Sequence, residues 1–453
     1  LIPFALILVA IISSAAADSS ETTNWPRWRG PHSNGTSHTT GLPLVWSEAA
    51  NDEKGDGKNV ADTAAKNILW KTALPDYGRG TPVIWGDAVF LTSHVDDKDL
   101  MLLKIDKRDG RIEWTRKVGS GSCGRMALRG KRGDERRTMM FHTTHNLASP
   151  APVTDGRVVV VHFGNGELAA YDFEGRRLWA RNLQKDYGNF TIWWGRANSP
   201  ALVGDLVISI VLQDECRDLP GQLSPSYVVA HDKRTGKVVW RTMRKSKADG
   251  EFADSYTTPI LWQNKGQAEL IVSGGEILDA YDPLTGQRKW FLPEFLGNRP
   301  VSGPVTVGDT IIAARGKRGP LLAFRPQGPG ERPQDEIVWQ HDRGTPDSPW
   351  PVVWNNLLFV VTDRGIARCF DAITGEPKWE KRLGGSPYRA SPLAAEGRIY
   401  YLGTKGLATV VEAADEFKLL AKNNFNDETY ASPIVSDGKI YVRGRKWLYC
   451  LGE

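Results

Sequence analysis

Apolar residues along this chain fall in short runs separated by Gly, Asp and Asn, and no 3.6-residue period stands out beyond the first seventeen positions. Runs such as Val89–Ser93 (VFLTS), Val158–Phe163 (VVVVHF), Leu206–Val211 (LVISIV) and Ile399–Gly403 (IYYLG) predict β-strands. Their setting repeats. A small residue and a Pro come first, then a brief apolar run, a Gly/Asp turn, and the strand. The small-residue–Pro marker occurs at Thr81-Pro82, Ser149-Pro150, Ser199-Pro200, Thr258-Pro259, Gly303-Pro304, Ser348-Pro349, Ser391-Pro392 and Ser432-Pro433, at spacings of 68, 50, 59, 45, 45, 43 and 41 residues. That makes eight units.

Five segments further share a Gly followed four residues later by a Trp: Gly110/Trp114, Gly175/Trp179, Gly236/Trp240, Gly286/Trp290 and Gly375/Trp379. Asp106, Asp232, Asp282 and Asp371 stand four residues before their Gly, and Asp172 is one residue closer. Such turns join two strands: the Asp side chain caps backbone N–H groups and Gly supplies the positive φ. Four short strands in a repeat of roughly forty to fifty residues make a propeller blade. The last unit, Ser432 to Glu453, stops after three strands, and the segment Asn67–Leu74 (NILWKTAL) supplies an orphan strand with its own Trp. The chain is therefore predicted to be all-β, an eight-bladed β-propeller of four-stranded antiparallel blades over residues 67–453, closed by an N-terminal strand that completes the last blade. Trp70, Trp114, Trp179, Trp240, Trp290, Trp339 and Trp379 are expected to wedge between neighbouring blades.

Composition changes this picture little. The balance of 58 basic to 53 acidic residues gives +5 spread along the chain, which does not argue for nucleic acid. No Gly-rich phosphate loop opens a helix, so no nucleotide site is expected. The uncharged run Leu1–Ala17 ends in three alanines and predicts a cleaved signal peptide, with no stable membrane insertion and a periplasmic or secreted, monomeric protein. Residues 18–66 form a leader and a polar connector, and a basic insert follows at Arg125–Arg137. Cys369 and Cys450 fall in strands, whereas Cys123 and Cys216 lie in polar inserts and are expected to form a disulfide in an oxidising compartment. His94, His142 and His145 share the predicted loop face. His142-x-x-His145 sits in an irregular insert without carboxylate spacing, so no metal site is assigned.

The repeats, with their turn-plus-Trp signature, resemble those of the PQQ-like propeller superfamily, whose branches include quinoprotein alcohol dehydrogenases and the periplasmic outer-membrane assembly lipoprotein. The opening Asn24–Ser37 (NWPRWRGPHSNGTS) is similar to the WPxxRGP leader of exported PQQ-like repeat proteins abundant in planctomycete-type bacteria. The catalytic branch implies two adjacent cysteines and a Ca²⁺ held by Glu, Asn and Asp. This chain has no Cys-Cys pair, and the assembly branch's lipid-modified Cys is missing after Ala17.

In a propeller, the loops entering the innermost strands meet around the axis. These loops carry Tyr77, Arg79, His145, Asn146, Trp193, Trp194, Arg196, Asn198, Asp254, Tyr256, Arg299, Asp347, Tyr388, Arg389 and Tyr430, an aromatic and charged set suited to a planar cofactor, a sugar or a peptide. Arg196 and Arg299 would pair with anionic oxygens while Trp194 and Tyr256 stack. The expected function is a non-catalytic binding or scaffolding propeller for a protein, peptide or glycan ligand. The alternative is a PQQ- or metal-dependent oxidoreductase, with PQQ possible but not favoured and no catalytic residue assigned.

Overall fold

A computed structural model describes residues 22–48, 65–124, 137–222, 224–316, 319–385 and 387–453. The signal-like run Leu1–Ala17, most of the connector and the basic insert through Arg136 lie outside the described residues. The described chain forms eight sheets, each built on four antiparallel strands, in sequence order in all but the last. Blade 1 comprises Val83–Trp85, Ala88–Val95, Asp99–Asp106 and Ile112–Ser120. The last blade comprises Ile434–Ser436, Lys439–Arg443 and Trp447–Leu451, and its outermost strand is Ile68–Ala73, antiparallel to Trp447–Leu451. The ring is an eight-bladed propeller closed by the N-terminal strand. Among the described residues of the propeller, the helix content apart from two 3-10 turns is one turn at Leu183–Tyr187, capped by the Asn182 side chain.

The repeat signature has a local cause. The Asp371 carboxylate accepts from the N–H groups of Ile373 and Thr374, and Asp232 and Asp282 do the same in their turns. The hydrogen bond from Thr374 leads the causes that hold the Asp371 pKa below its ordinary value. In every blade the outer strand then slips register by one residue just before the Trp position, as between Ile68 and Trp70 or Arg177 and Trp179. A bulge re-aims the next side chain. Here it sends the indole over the Gly turn of the following blade and leaves the bulged Leu69, Leu178, Val239 and Val338 facing solvent.

A Cβ on Gly110, Gly236, Gly286 or Gly375 would stand 2.3–2.7 Å from the ring of Trp70, Trp179, Trp240 or Trp339. Most of these indoles also donate to the next turn: Trp70 to Lys107 O, Trp114 to Phe173 O, Trp179 to Lys233 O, Trp339 to Ala372 O and Trp379 to Ala414 O. Trp290 differs, because the following blade lacks the Asp-Gly turn. Its indole bonds Glu269 of its own blade, and Gly330–Glu331 from the next blade adds a short parallel strand beside it. Blade 7 carries Ala421 at the Trp position. There Leu44–Ser47 lies along the outer strand, bonded through Asn423, with Trp46 buried against Phe425.

Near the axis the small-residue–Pro markers link the blades. At five of the joints the marker hydroxyl accepts from a backbone N–H of the preceding blade: Ala151 to Ser199 (2.9 Å), Ser199 to Thr258 (3.1 Å), Trp350 to Ser391 (2.9 Å), Ser391 to Ser432 (2.9 Å) and Ser432 to Thr81 (3.3 Å). The remaining joints use other donors. Arg79 and Gly80 N–H bond Ala148 O, Tyr256 N–H bonds Pro300 O, and the Trp350 indole donates to Val301 O. Gly303 breaks the hydroxyl pattern for want of space, since a Cβ there would lie 2.1 Å from the Trp350 ring.

The expected Cys123–Cys216 disulfide is not formed, and all four cysteines are buried thiols outside any disulfide. Cys123 packs with Val118 and Phe141 beside His94, whereas Cys216 turns its thiol to the backbone oxygen of Asp214. The two loops do meet, through Arg137, which pairs with Asp214 and Asp218 and bonds Gln222, but the thiols themselves are engaged separately.

Two outcomes are expected. Deleting Asn67–Leu74 exposes the unpaired edge of Trp447–Leu451 and should abolish the cooperative thermal transition and promote aggregation on size-exclusion chromatography. Trp70→Ala, which keeps the strand, should cost about 3–5 kcal/mol in denaturant unfolding. In the axial belt, Ser391→Ala should cost about 0.5–1.5 kcal/mol by the same measurement, more than a substitution at an exposed Ser.

Candidate functional site

The innermost strands present unpaired backbone groups to the channel, and the leader takes several of them. Trp25 exchanges two backbone bonds with Ile84 of blade 1, Pro26 O accepts from Thr154 of blade 2, and Gly35 O accepts from Ala394 of blade 7. Thr36–Ser37 then pairs parallel to Ala394–Ala395. The leader's other anchors, Gly86 N–H to Asn24 and Asp437 N–H to Thr22 O, belong to hairpin turns at the end opposite the marker loops. The WPRWRGP segment is thus a plug inserted from that end. Arg29 is fully buried in it and donates to the carbonyls of Asn34, Pro351 and Pro392, its pKa lowered to about 9 by burial. Trp28 meets Trp350 edge to face at 6.0 Å.

Above the plug a cup of about 130 Å³ remains on the axis. Trp28 closes its inner end. Its wall takes hydroxyls from the markers (Ser149, Ser199, Thr258, Ser348, Ser391), the Trp350 ring, and Arg79, Tyr256, Arg389 and Tyr430 from the preceding loops. Arg79 lies 3.4 Å above the Tyr430 ring centre and 5.2 Å from that of Tyr77, a double cation–π stack. Burial lowers its pKa, with Tyr430, Tyr77 and Glu428 opposing that shift. Among the described ion pairs none involves Arg79, whereas Arg389 is paired with Asp363 and bonded to Ser348.

Beside the cup runs a charged chain. Arg299 bridges Glu251 (3.0 Å) and Asp347 (2.8 Å), and Glu251 accepts from the Trp194 indole (2.7 Å). Burial alone would lower the Arg299 pKa, but Asp347, then Tyr256 and Glu251, outweigh it and hold the pKa above its ordinary value. Trp194 stacks edge to face with His142 and donates its backbone N–H to the Tyr256 hydroxyl oxygen (3.0 Å).

Arg79, Tyr256, Arg389 and Tyr430 therefore meet at one cavity, with Trp194, Arg299 and Asp347 grouped next to it. His145 contacts Ser149 on the wall. Five other candidates turn away. Arg196 is 1% exposed and donates to Ile210 O (2.6 Å) and His162, its pKa lowered to about 9 by burial, so it cannot pair with a ligand's oxygens. Asn146 and Asn198 clamp the carbonyls of Tyr77, Ser255 and Thr257. Asp254 accepts from Trp193 N–H at 2.6 Å, and Tyr388 bonds Gly384 O. All four are buried and brace loops. The three histidines do not converge: His142 bonds Thr144, His145 bonds Asn146 O, and His94 faces Asp97 and Cys123. Sequence reasoning missed Trp28, Trp350, Glu251 and Asp363. Trp28 was legible in the WPRWRGP motif, whose position inside the ring only folding reveals.

A profile of the family described as outer membrane protein assembly factor BamB matches residues 28–215 and 329–419, more than half of the chain. No curated protein matches the chain by sequence. Among solved structures, BamB from Moraxella catarrhalis superposes with a TM-score of 0.56 at 14% identity, over 85% of this chain and 99% of that one. Quinohemoprotein alcohol dehydrogenase from Comamonas testosteroni gives 0.65 at 13% identity, over 96% and 81%. A europium-containing methanol dehydrogenase gives 0.63 at 13%, over 96% and 99%. At these identities the likeness is one of fold, and it fits the repeat signature, the closure and the blade count. By the extent of the family match, this chain belongs to the PQQ-repeat propeller family described as outer membrane protein assembly factor BamB.

Proposed function

We propose that this protein is a non-catalytic extracytoplasmic binding propeller, whose axial cup receives an anionic group of a protein, peptide or glycan ligand. The observation that carries the reading is Arg79: a guanidinium on the cup wall, stacked on Tyr430, with no carboxylate paired to it among the described residues. A buried cation of this kind gains most from a ligand oxygen. The marker hydroxyls and the Trp28 and Trp350 rings would surround that oxygen with donors and an apolar base. Membership of the BamB family and the signal-like Leu1–Ala17 support a place outside the cytoplasm. Among the described residues no helix is long and apolar enough to cross a membrane.

The residues around the cup do not fit PQQ with Ca²⁺. Calcium takes six to eight oxygen ligands, typically including carboxylates. The carboxylates here, Glu251, Asp347 and Asp363, are each held by an arginine, and Arg79 adds a further positive charge. The volume of about 130 Å³ also falls short of the roughly 300–1,000 Å³ common for small-molecule sites.

Titrating the protein with an oligoglutamate peptide or a sulfated oligosaccharide should quench tryptophan emission, with binding weakened at least tenfold in Arg79→Ala and in Tyr430→Ala and unchanged melting temperatures. Undiminished binding in Arg79→Ala would overturn the reading. Dye-linked oxidation of alcohols or sugars on adding PQQ and Ca²⁺ is expected to stay at background. Turnover that requires both would favour the oxidoreductase instead.

A further inference from the structure

Away from the cup, three ligand-type side chains meet at the end of blade 1. His94 is the next-to-last residue of Ala88–Val95, Asp97 sits in the hairpin turn that follows, and Cys123 lies just past Ile112–Ser120. Their ligand atoms all lie within 4.8 Å of one another. His94 Nδ1 is 3.6 Å from Asp97 Oδ1 and 3.9 Å from Cys123 Sγ. Tetrahedral Zn²⁺ at its usual bond lengths puts neighbouring S, N and O ligand atoms roughly 3.3–3.6 Å apart. The two measured edges are within a few tenths of an ångström of that.

Two contacts orient the set. His94 Nε2 lies 2.7 Å from Gly121 O. A carbonyl can only accept, so Nε2 carries the proton and donates, and Nδ1 presents a lone pair toward Cys123 and Asp97. A metal-bound histidine is commonly held in this way, by a hydrogen bond from its other nitrogen. The Cys123 N–H donates to Asp97 Oδ1 at 3.1 Å and fixes the carboxylate beside the thiol. His94 and Cys123 are 2% and 6% exposed, while Asp97 is half open to solvent. Nitrogen and sulfur are thus presented from the interior, and the carboxylate side offers a path inward for an ion.

We propose that His94, Asp97 and Cys123 form a binding site for a soft divalent cation, Zn²⁺ foremost, with water as the fourth ligand. Thiolate and imidazole select zinc-like ions over Ca²⁺ or Mg²⁺. On binding, the Cys123 thiol releases its proton to solvent, and the thiolate and carboxylate charges balance the ion. The ion would brace the adjoining loop as well, because His94 N–H bonds the backbone oxygen of Tyr77, whose ring lies beside Arg79.

The test uses the full chain stripped by a chelator and titrated with Co²⁺. One equivalent should give tetrahedral d–d bands and a thiolate-to-cobalt charge-transfer band, both removed by added Zn²⁺. Cys123→Ser should lose the charge-transfer band, and Cys123→Ser and His94→Ala should each bind at least about tenfold more weakly. Asp97→Asn, a change at an exposed position that should not disturb folding, should weaken binding while keeping the charge-transfer band. Cys216→Ser, whose thiol lies outside the cluster, should bind like the parent. An octahedral or featureless spectrum in the parent, or affinity equal to the parent's in both Asp97→Asn and Cys123→Ser, would overturn the proposal.

Discussion

Each blade of this ring must dock on the next, and the rest of the structure depends on that contact. A four-stranded sheet of this size cannot bury its two faces alone. The joint is made twice at every step, once near the axis and once at the periphery. Near the axis, a marker hydroxyl or its substitute satisfies a backbone N–H of the preceding blade. At the periphery of most joints a bulge turns a Trp onto the neighbouring turn, and at Gly110, Gly236, Gly286 and Gly375 only a residue without Cβ fits beneath the ring. Where the Trp is missing, at Ala421, chain from outside the repeat covers the strand instead.

The channel is the by-product of this docking, and the leader treats it as an edge to be satisfied. By pairing with Ile84, Thr154 and Ala394, it caps innermost strands from one end and carries Trp28 onto the axis. The plug decides what the channel can hold. A through-channel becomes a shallow cup, with cations on its wall and its carboxylates already committed to arginines. Three arginines, Arg29, Arg196 and Arg443, are buried without carboxylates and donate to backbone oxygens, and burial lowers each pKa to about 9. Their work is structural: a planar guanidinium reaches several carbonyls that irregular loops would otherwise leave unsatisfied. That explains why loop arginines are poor guides to a binding site in this fold.

The sequence by itself determined the blade count, the strand order, the turn chemistry and the closure, because each rests on short-range signals that recur from blade to blade. Asp-x-x-Thr-Gly, the small residue before Pro and the lone Trp strand at Asn67–Leu74 each state a local geometry, and repetition makes the inference robust. It also located the loop face, and Arg79, Tyr256, Arg389 and Tyr430 do share a cavity there. Only the tertiary structure decided which loop residues face the cup and which turn inward. Arg196 and Arg389 stand three and two residues before their Ser-Pro markers, yet one is buried against Ile210 O and the other lines the cavity. It likewise decided that Cys123 joins His94 and Asp97 rather than Cys216. The physical reason is common to both. The direction of a side chain in an irregular loop is set by contacts with blades distant in sequence, and no local pattern records them.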